Sequence, residues 1–138
     1  MIIEWRPILV GGVFNAINTN VYRFRDNPVP AKEAYLGKDL ADWARLSGLR
    51  ILWQPSIFPV NSVRAMRAWI VALYQERLEP FALRLFVLYW VEDQDISQDG
   101  ALLEAASCAD VNGDLILNEI EDVAIKDRLR KNTEELIN

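Results

Sequence analysis

Residues 79–91 read EPFALRLFVLYWV, and this stretch decides the fold class. Pro80 is predicted at the first position of a helix, where its missing N–H would have no partner anyway. From Phe81 to Val91 every side chain but Arg84 is apolar. A helix apolar on all sides is predicted to be buried. At 1.5 Å per residue it is too short to cross a hydrocarbon layer of about 30 Å, so the expectation is the centre of a helical bundle.

The flanks extend that pattern. Asn61 or Ser62 can cap a helix running to about Leu78, with an inward stripe of Val63, Met66, Ile70, Leu73 and Tyr74. Upstream, Ala31, Ala34, Tyr35, Leu36, Leu40, Trp43 and Ala44 recur at helical steps from Pro30, and Gly48 stands where a C-terminal cap belongs. Leu49–Trp53 is a short extended piece, followed by a loop containing Pro55 and Pro59. Downstream, three increasingly polar amphipathic helices are predicted over Asp95–Ser107, Asp114–Glu121 and Asp122–Ile137.

The N-terminal part reads differently. Ile2–Arg6 is predicted as a β-strand ended by Pro7, and residues 13–29 as mostly loop. The fold class is therefore mostly α: one strand and about six helices. A lone strand cannot satisfy its own ladder. It must pair with another chain or with strands outside these residues.

At 138 residues and 51% hydrophobic content the chain is sized for one globular unit. Five Trp, five Phe and four Tyr promise an aromatic core. The absence of His excludes a Ser-His-Asp triad and imidazole-based zinc sites. A single Cys, Cys108, excludes an intrachain disulfide and a C-x-x-C pair, and its apolar neighbours suggest a small buried residue. Residues 1–90 balance at +4 and residues 91–138 at −9. An acidic half argues against nucleic acid as a partner. No apolar run is long enough for a membrane span and no leader pattern is visible, so the expected location is the cytoplasm.

Several constellations carry possible chemistry. Residues 110–121 place oxygen side chains at positions 1, 3, 5, 9 and 12 of a calcium loop, but Leu115 occupies the turn position that requires Gly. A helix capped by Asp110 or Asn112 explains the same residues, and no metal site is expected. Lys32 opens a helix, where the macrodipole disfavours a cation. Spacing alone leaves it a solvated lysine or one arm of a carboxylate-binding corner. Asn15, Asn18 and Asn20 suit either turns or a peptide-like ligand. Glu92 and Asp93 fit helix-end solvation or a carboxylate site.

Taken together, residues 6–14 (RPILVGGVF), 27–32 (NPVPAK), Tyr35 with Asp39, Leu40 and Trp43-Ala-Arg45, residues 58–62 (FPVNS) with Ala65-Met-Arg67, Tyr89-Trp90 with Asp95-Ile96, and residues 126–134 resemble a known family. They are similar to the 2-hydroxychromene-2-carboxylate isomerases and kappa-class glutathione transferases, within the DsbA-like thioredoxin superfamily. The resemblance covers nearly the whole chain. It implies that residues 1–29 are a thioredoxin-fold strand and active-site loop, and residues 30–138 the helical insertion of an α/β fold.

The resemblance also implies a cofactor, glutathione. Lys32 matches the lysine that meets a glutathione carboxylate, and Asn18 or Asn20 matches a glutathione-binding asparagine, with Asn18 preferred. Phe58, Pro59, Asn61, Ser62, Met66 and Trp90 resemble the wall of the second-substrate pocket. In such enzymes a thiolate adds to a conjugated enone, a bond rotates and the thiolate is expelled. The activating Ser and the cis-Pro loop are expected outside this chain, so the chain alone is expected to be inactive. The alternatives are a non-catalytic helical interaction module and a DsbA-like oxidoreductase whose Cys lies elsewhere. The expected partners are a small-molecule substrate and a second copy, through homodimerisation or pairing of the exposed strand.

Overall fold

The computed structural model describes residues 3–138; Met1 and Ile2 lie outside the described residues. Eight helices follow in order: α1 (Val10–Ile17), α2 (Asn20–Asp26), α3 (Pro30–Leu46), α4 (Val63–Tyr74), α5 (Leu78–Trp90), α6 (Asp99–Cys108), α7 (Gly113–Glu119) and α8 (Val123–Ile137). The chain is mostly helical, and no strand occurs among the described residues.

The core lies among α4 to α8. On α4, Ala65, Ala68 and Ala72 are fully buried, and their small side chains let neighbouring helices approach closely. Phe81, Leu85 and Leu88 of α5, Leu102, Ala105 and Ala106 of α6, and Ile116 of α7 fill the space. Ile125 and Leu129 of α8 close it. Burying large apolar side chains of this kind contributes about 1.5–3 kcal/mol each.

Helix ends repeat one device. Gly48 (φ 67°), Glu76 (58°), Asp93 (57°) and Asp110 (56°) take left-handed backbone after α3, α4, α5 and α6. The next amide then turns back: Leu49 to Ala44 O at 2.8 Å, Arg77 to Ala72 O at 2.9 Å, and Val111 to Ala106 O at 2.9 Å. These are Schellman-type closures. The cap expected at Gly48 is present, whereas the other three ends use acidic residues that pattern reading misses. For that reason α4 stops at Tyr74, and Leu78 belongs to α5 rather than ending α4. Pro80 is correspondingly the third residue of α5, not the first.

The strand predicted over Ile2–Arg6 is corrected for its described part. Residues 3–9 are irregular, and Arg6, Pro7 and Leu9 bond to side chains of α8 instead of joining a ladder. Asn132 Nδ2 donates to Pro7 O at 2.9 Å, Leu9 N–H donates to Thr133 Oγ1 at 3.0 Å, and Arg6 Nη1 meets Glu135 at 2.5 Å. A strand needs a second strand, and α8 offers hydroxyl and amide groups instead. The loop predicted over 13–29 is likewise corrected: it holds most of α1 and all of α2. Gly12 lets α1 sit on α8, since a Cβ there would stand 3.1 Å from Thr133 Cγ2. Tyr22 OH ties α2 back to Gly11 O at 3.3 Å.

Three burial expectations also change. α5 buries only one side: Leu83 is 61% and Phe86 50% exposed. Trp5, Trp43 and Trp53 are exposed, so the core is aliphatic more than aromatic. Cys108, the last residue of α6, is exposed. On α5 the apolar side that faces outward is a surface that the described residues leave uncovered. The tail of the chain follows expectation more closely, with Asn112 Oδ1 accepting Leu115 N–H at 3.0 Å to cap α7. Asp122 Oδ1 accepts Ala124 N–H at 2.6 Å to start α8. Asp95 accepts Ser97 N–H at 2.9 Å in a turn, which delays α6 to Asp99.

Candidate functional site

Two regions hold the candidate residues. The first is the run from α1 to the start of α3. Asn18 ends α1, with its N–H donating to Phe14 O at 3.0 Å and its carbonyl accepting from Val21 at 3.4 Å. Asn20 opens α2. Both are exposed, and among the described residues neither carboxamide bonds to the chain. Pro28 and Pro30 bracket the turn into α3, where Pro30 needs no amide partner. Lys32 follows in the first turn, its N–H donating to Val29 O at 2.9 Å. Its ammonium lies 5.9 Å from the Phe24 ring centroid and forms no ion pair among the described residues. Lys38, six positions on, is by contrast locked to Asp42 at 2.6 Å.

The second region is the connection from α3 to α4, strapped across the end of α5. Three bonds hold it. Leu52 N–H donates to Trp90 O at 2.6 Å, Tyr89 OH donates to Ile57 O at 3.0 Å, and Ser56 N–H donates to Asp93 Oδ1 at 2.6 Å. The Ser56 hydroxyl donates to the other Asp93 oxygen. This pair of donors holds the Asp93 carboxyl below its usual range, while burial pushes the Tyr89 phenol up. Glu92 is not free either. The Arg84 guanidinium grips it at 2.7 and 2.9 Å, also reaches Glu104, and holds the Glu92 carboxyl below its usual range.

The strap brings some predicted pocket residues together and not others. Phe58, half-exposed, stands 6.4 Å from Trp90 and 5.8 Å from Trp53, ring centroid to ring centroid. Pro59 follows through a cis bond. Asn61 turns inward to accept Val63 N–H at 3.1 Å, and Ser62 makes no side-chain cap bond. Met66 packs on the edge of the core. Phe58 and Trp90 therefore form one aromatic wall, whereas Asn61 and Met66 start and anchor α4.

Sequence reasoning passed over an apolar groove beside this wall. A groove of about 400 Å³ runs between the strap and α5, lined among others by Leu49, Ile51, Trp53, Leu83, Phe86 and Trp90. The signal was present in the apolarity of Phe81–Val91 on both sides of Arg84, read as burial rather than as a second, open face.

Set against known proteins, the chain matches the DSBA-like thioredoxin domain model over residues 1–138. The chain belongs to that family of DSBA-like thioredoxin domains. No curated protein matches the sequence. Within the family frame, the described residues form a helical assembly without a sheet of their own. Among them no helix is long and apolar enough to cross a membrane.

Proposed function

We propose that these residues form the helical part of a glutathione-dependent isomerase or transferase. The observation that carries this reading is the pairing state of its candidate ligands. Lys32 has no carboxylate partner, and the carboxamides of Asn18 and Asn20 have no bond to the chain among the described residues. A cation and two free carboxamides suit a small peptide with carboxylate ends. Membership of the DSBA-like thioredoxin family supports a thiol-based chemistry. When bound, glutathione supplies the nucleophilic thiolate, which suits a chain with no His and one exposed Cys.

In this reading Lys32 holds a carboxylate and Asn18, with Asn20 beside it, holds the peptide groups. Phe58 and Trp90 offer aromatic faces to a planar second substrate of the 2-hydroxychromene-2-carboxylate type. Asn61 and Ser62 fix where that wall ends. The hydroxyl that activates the thiol is assigned to residues outside these 138. The test is calorimetric titration of reduced glutathione into the chain and into Lys32→Ala. A charge-assisted contact predicts a loss of about tenfold or more in affinity. Equal affinity of the variant, or no binding at millimolar glutathione, contradicts the reading. Turnover by the 138 residues alone would show that the activating group has been misassigned.

A second reading is supported by the outer face of α3. Tyr35, Trp43 and Leu46 are 69%, 60% and 77% exposed. Such a stripe suits a non-catalytic interaction module, or a homodimer built on the same helix. Sedimentation velocity separates the two proposals from a monomeric glutathione site: self-association that Trp43→Asp abolishes favours the dimer.

A further inference from the structure

Glutathione carries a carboxylate at each end, and in the glutathione reading Lys32 meets one of them. A cation for the other end has to stand close to Lys32, and α2 offers one. Asn20, Arg23 and Phe24 occupy positions i, i+3 and i+4 of α2, so they share one face of that helix. Phe24 ties this face to Lys32, whose ammonium lies 5.9 Å from the ring centroid. Helical side chains lean toward the N-terminal turn, which brings Arg23 over the turn that Asn20 begins. α2 buries no side chain, and Asn20, Arg23, Phe24 and Lys32 are all exposed. A ligand can therefore reach the four together.

The neighbouring charges do not compete. Arg25, about 200° around α2 from Arg23, has its guanidinium 5.3 Å from the Tyr22 ring centroid and its Nε 3.7 Å from Asp26. Asp26 is three positions from Arg23, yet Arg23 takes part in no ion pair among the described residues. Glu33 follows Lys32 on α3, about 100° further around that helix. Arg23 and Lys32 are thus two cations without a carboxylate partner among the described residues, both adjoining Phe24. We propose that Arg23 holds the second carboxylate of glutathione, so that Arg23 and Lys32 together select a peptide with a carboxylate at each end. A guanidinium can meet a carboxylate through two parallel N–H bonds, a stronger and more directional contact than a neutral side chain makes. The proposal rests on the glutathione reading and adds to it a specificity-determining residue.

Three ligands distinguish the two ends: reduced glutathione, its glycyl ethyl ester, and 4-aminobutyryl-cysteinyl-glycine, which lacks the γ-glutamyl carboxylate. Each is titrated, with amide shifts recorded, into wild type, Arg23→Gln, Arg23→Lys, Lys32→Ala and Arg25→Gln. Gln and Lys keep close to the helix propensity of Arg, and circular dichroism checks that the helices persist. Arg23→Gln should weaken glutathione by about fivefold or more. Arg23→Lys, which keeps the charge, should recover most of that loss, and Arg25→Gln should match wild type. Against one analogue Arg23→Gln should cost nothing, because its carboxylate is gone, while Lys32→Ala still weakens binding. Against the other analogue the two variants should exchange roles. Unchanged glutathione affinity in Arg23→Gln overturns the proposal, as do an equal loss in Arg25→Gln or a loss of the same size for all three ligands. In those cases Lys32 keeps its place in the glutathione reading. No glutathione binding by wild type, or none of its affinity lost in Lys32→Ala, overturns that reading and the proposal with it.

Discussion

Glu76 shows how single residues set the shape of this chain. Its left-handed backbone ends α4 and lets Arg77 N–H reach Ala72 O at 2.9 Å. A residue with a Cβ pays roughly 1–2 kcal/mol for that conformation, and Gly does not. After allowing for the greater freedom of Gly in the unfolded chain, Glu76→Gly should stabilise the fold by about 0.5–1 kcal/mol, measured by urea denaturation. Arg84 makes the opposite case. Its contacts hold Glu92 below the usual carboxylate range. A carboxyl whose folded pKa is depressed contributes stability above its unfolded pKa, and that stability is lost as pH falls through the folded value. Thermal stability of wild type should therefore fall on acidification from about pH 5 to pH 3. Arg84→Met should start less stable and fall by less over the same interval. An equally steep acid slope in the variant would assign that dependence to Asp42, Asp93, Asp95 or Glu121, whose carboxyls are held low by their own hydrogen bonds.

Among the elements, the helices after residue 60 were legible because their caps and apolar steps are local. Asn112 and Asp122 carry the cap bonds of α7 and α8, and Gly48 ends α3 as its sequence position implies. Two features were illegible for a shared reason: each depends on distant partners. The conformation of residues 3–9 is decided by Asn132 and Thr133, more than a hundred positions away. The open face of α5 is decided by what packs on it, and Phe81–Val91 is equally apolar toward both sides. The N-terminal segment provides a test. Asn132 is buried with one side-chain bond to Pro7 O, so Asn132→Ala should cost about 1–3 kcal/mol by stranding that carbonyl and losing the contact. Thr133→Val keeps the shape but removes the acceptor for Leu9 N–H, and should speed hydrogen exchange at Leu9 while leaving α6 protected. Unchanged exchange at Leu9 would mean that the segment is held by something other than α8.

At the scale of the molecule, the chain divides into a packed part and an exposed part. Helices α4 to α8 share one core, whereas α2 buries no side chain and α3 buries only Ala44. Local stability follows buried contacts, so amides of α3 should exchange faster than those of α4 and α5 by about tenfold or more. Slower exchange in α3 would show that another body covers it in solution. The candidate glutathione ligands lie in the exposed part, and this explains how much of them the sequence could convey. Lys32, Asn18 and Asn20 were reached through resemblance, because spacing alone leaves an unpaired lysine and turn-forming asparagines. Family membership over residues 1–138 supports the proposal of a thiol chemistry, and the lack of ion-pair or side-chain hydrogen-bond partners for all three among the described residues gives it its physical basis. The most direct measurement is an amide-shift map of the intact chain titrated with reduced glutathione. The glutathione reading predicts saturable shifts confined to residues around Asn18, Asn20 and Lys32, abolished in Lys32→Ala, with α6 to α8 unmoved. Shifts elsewhere, or none at millimolar glutathione, would contradict it.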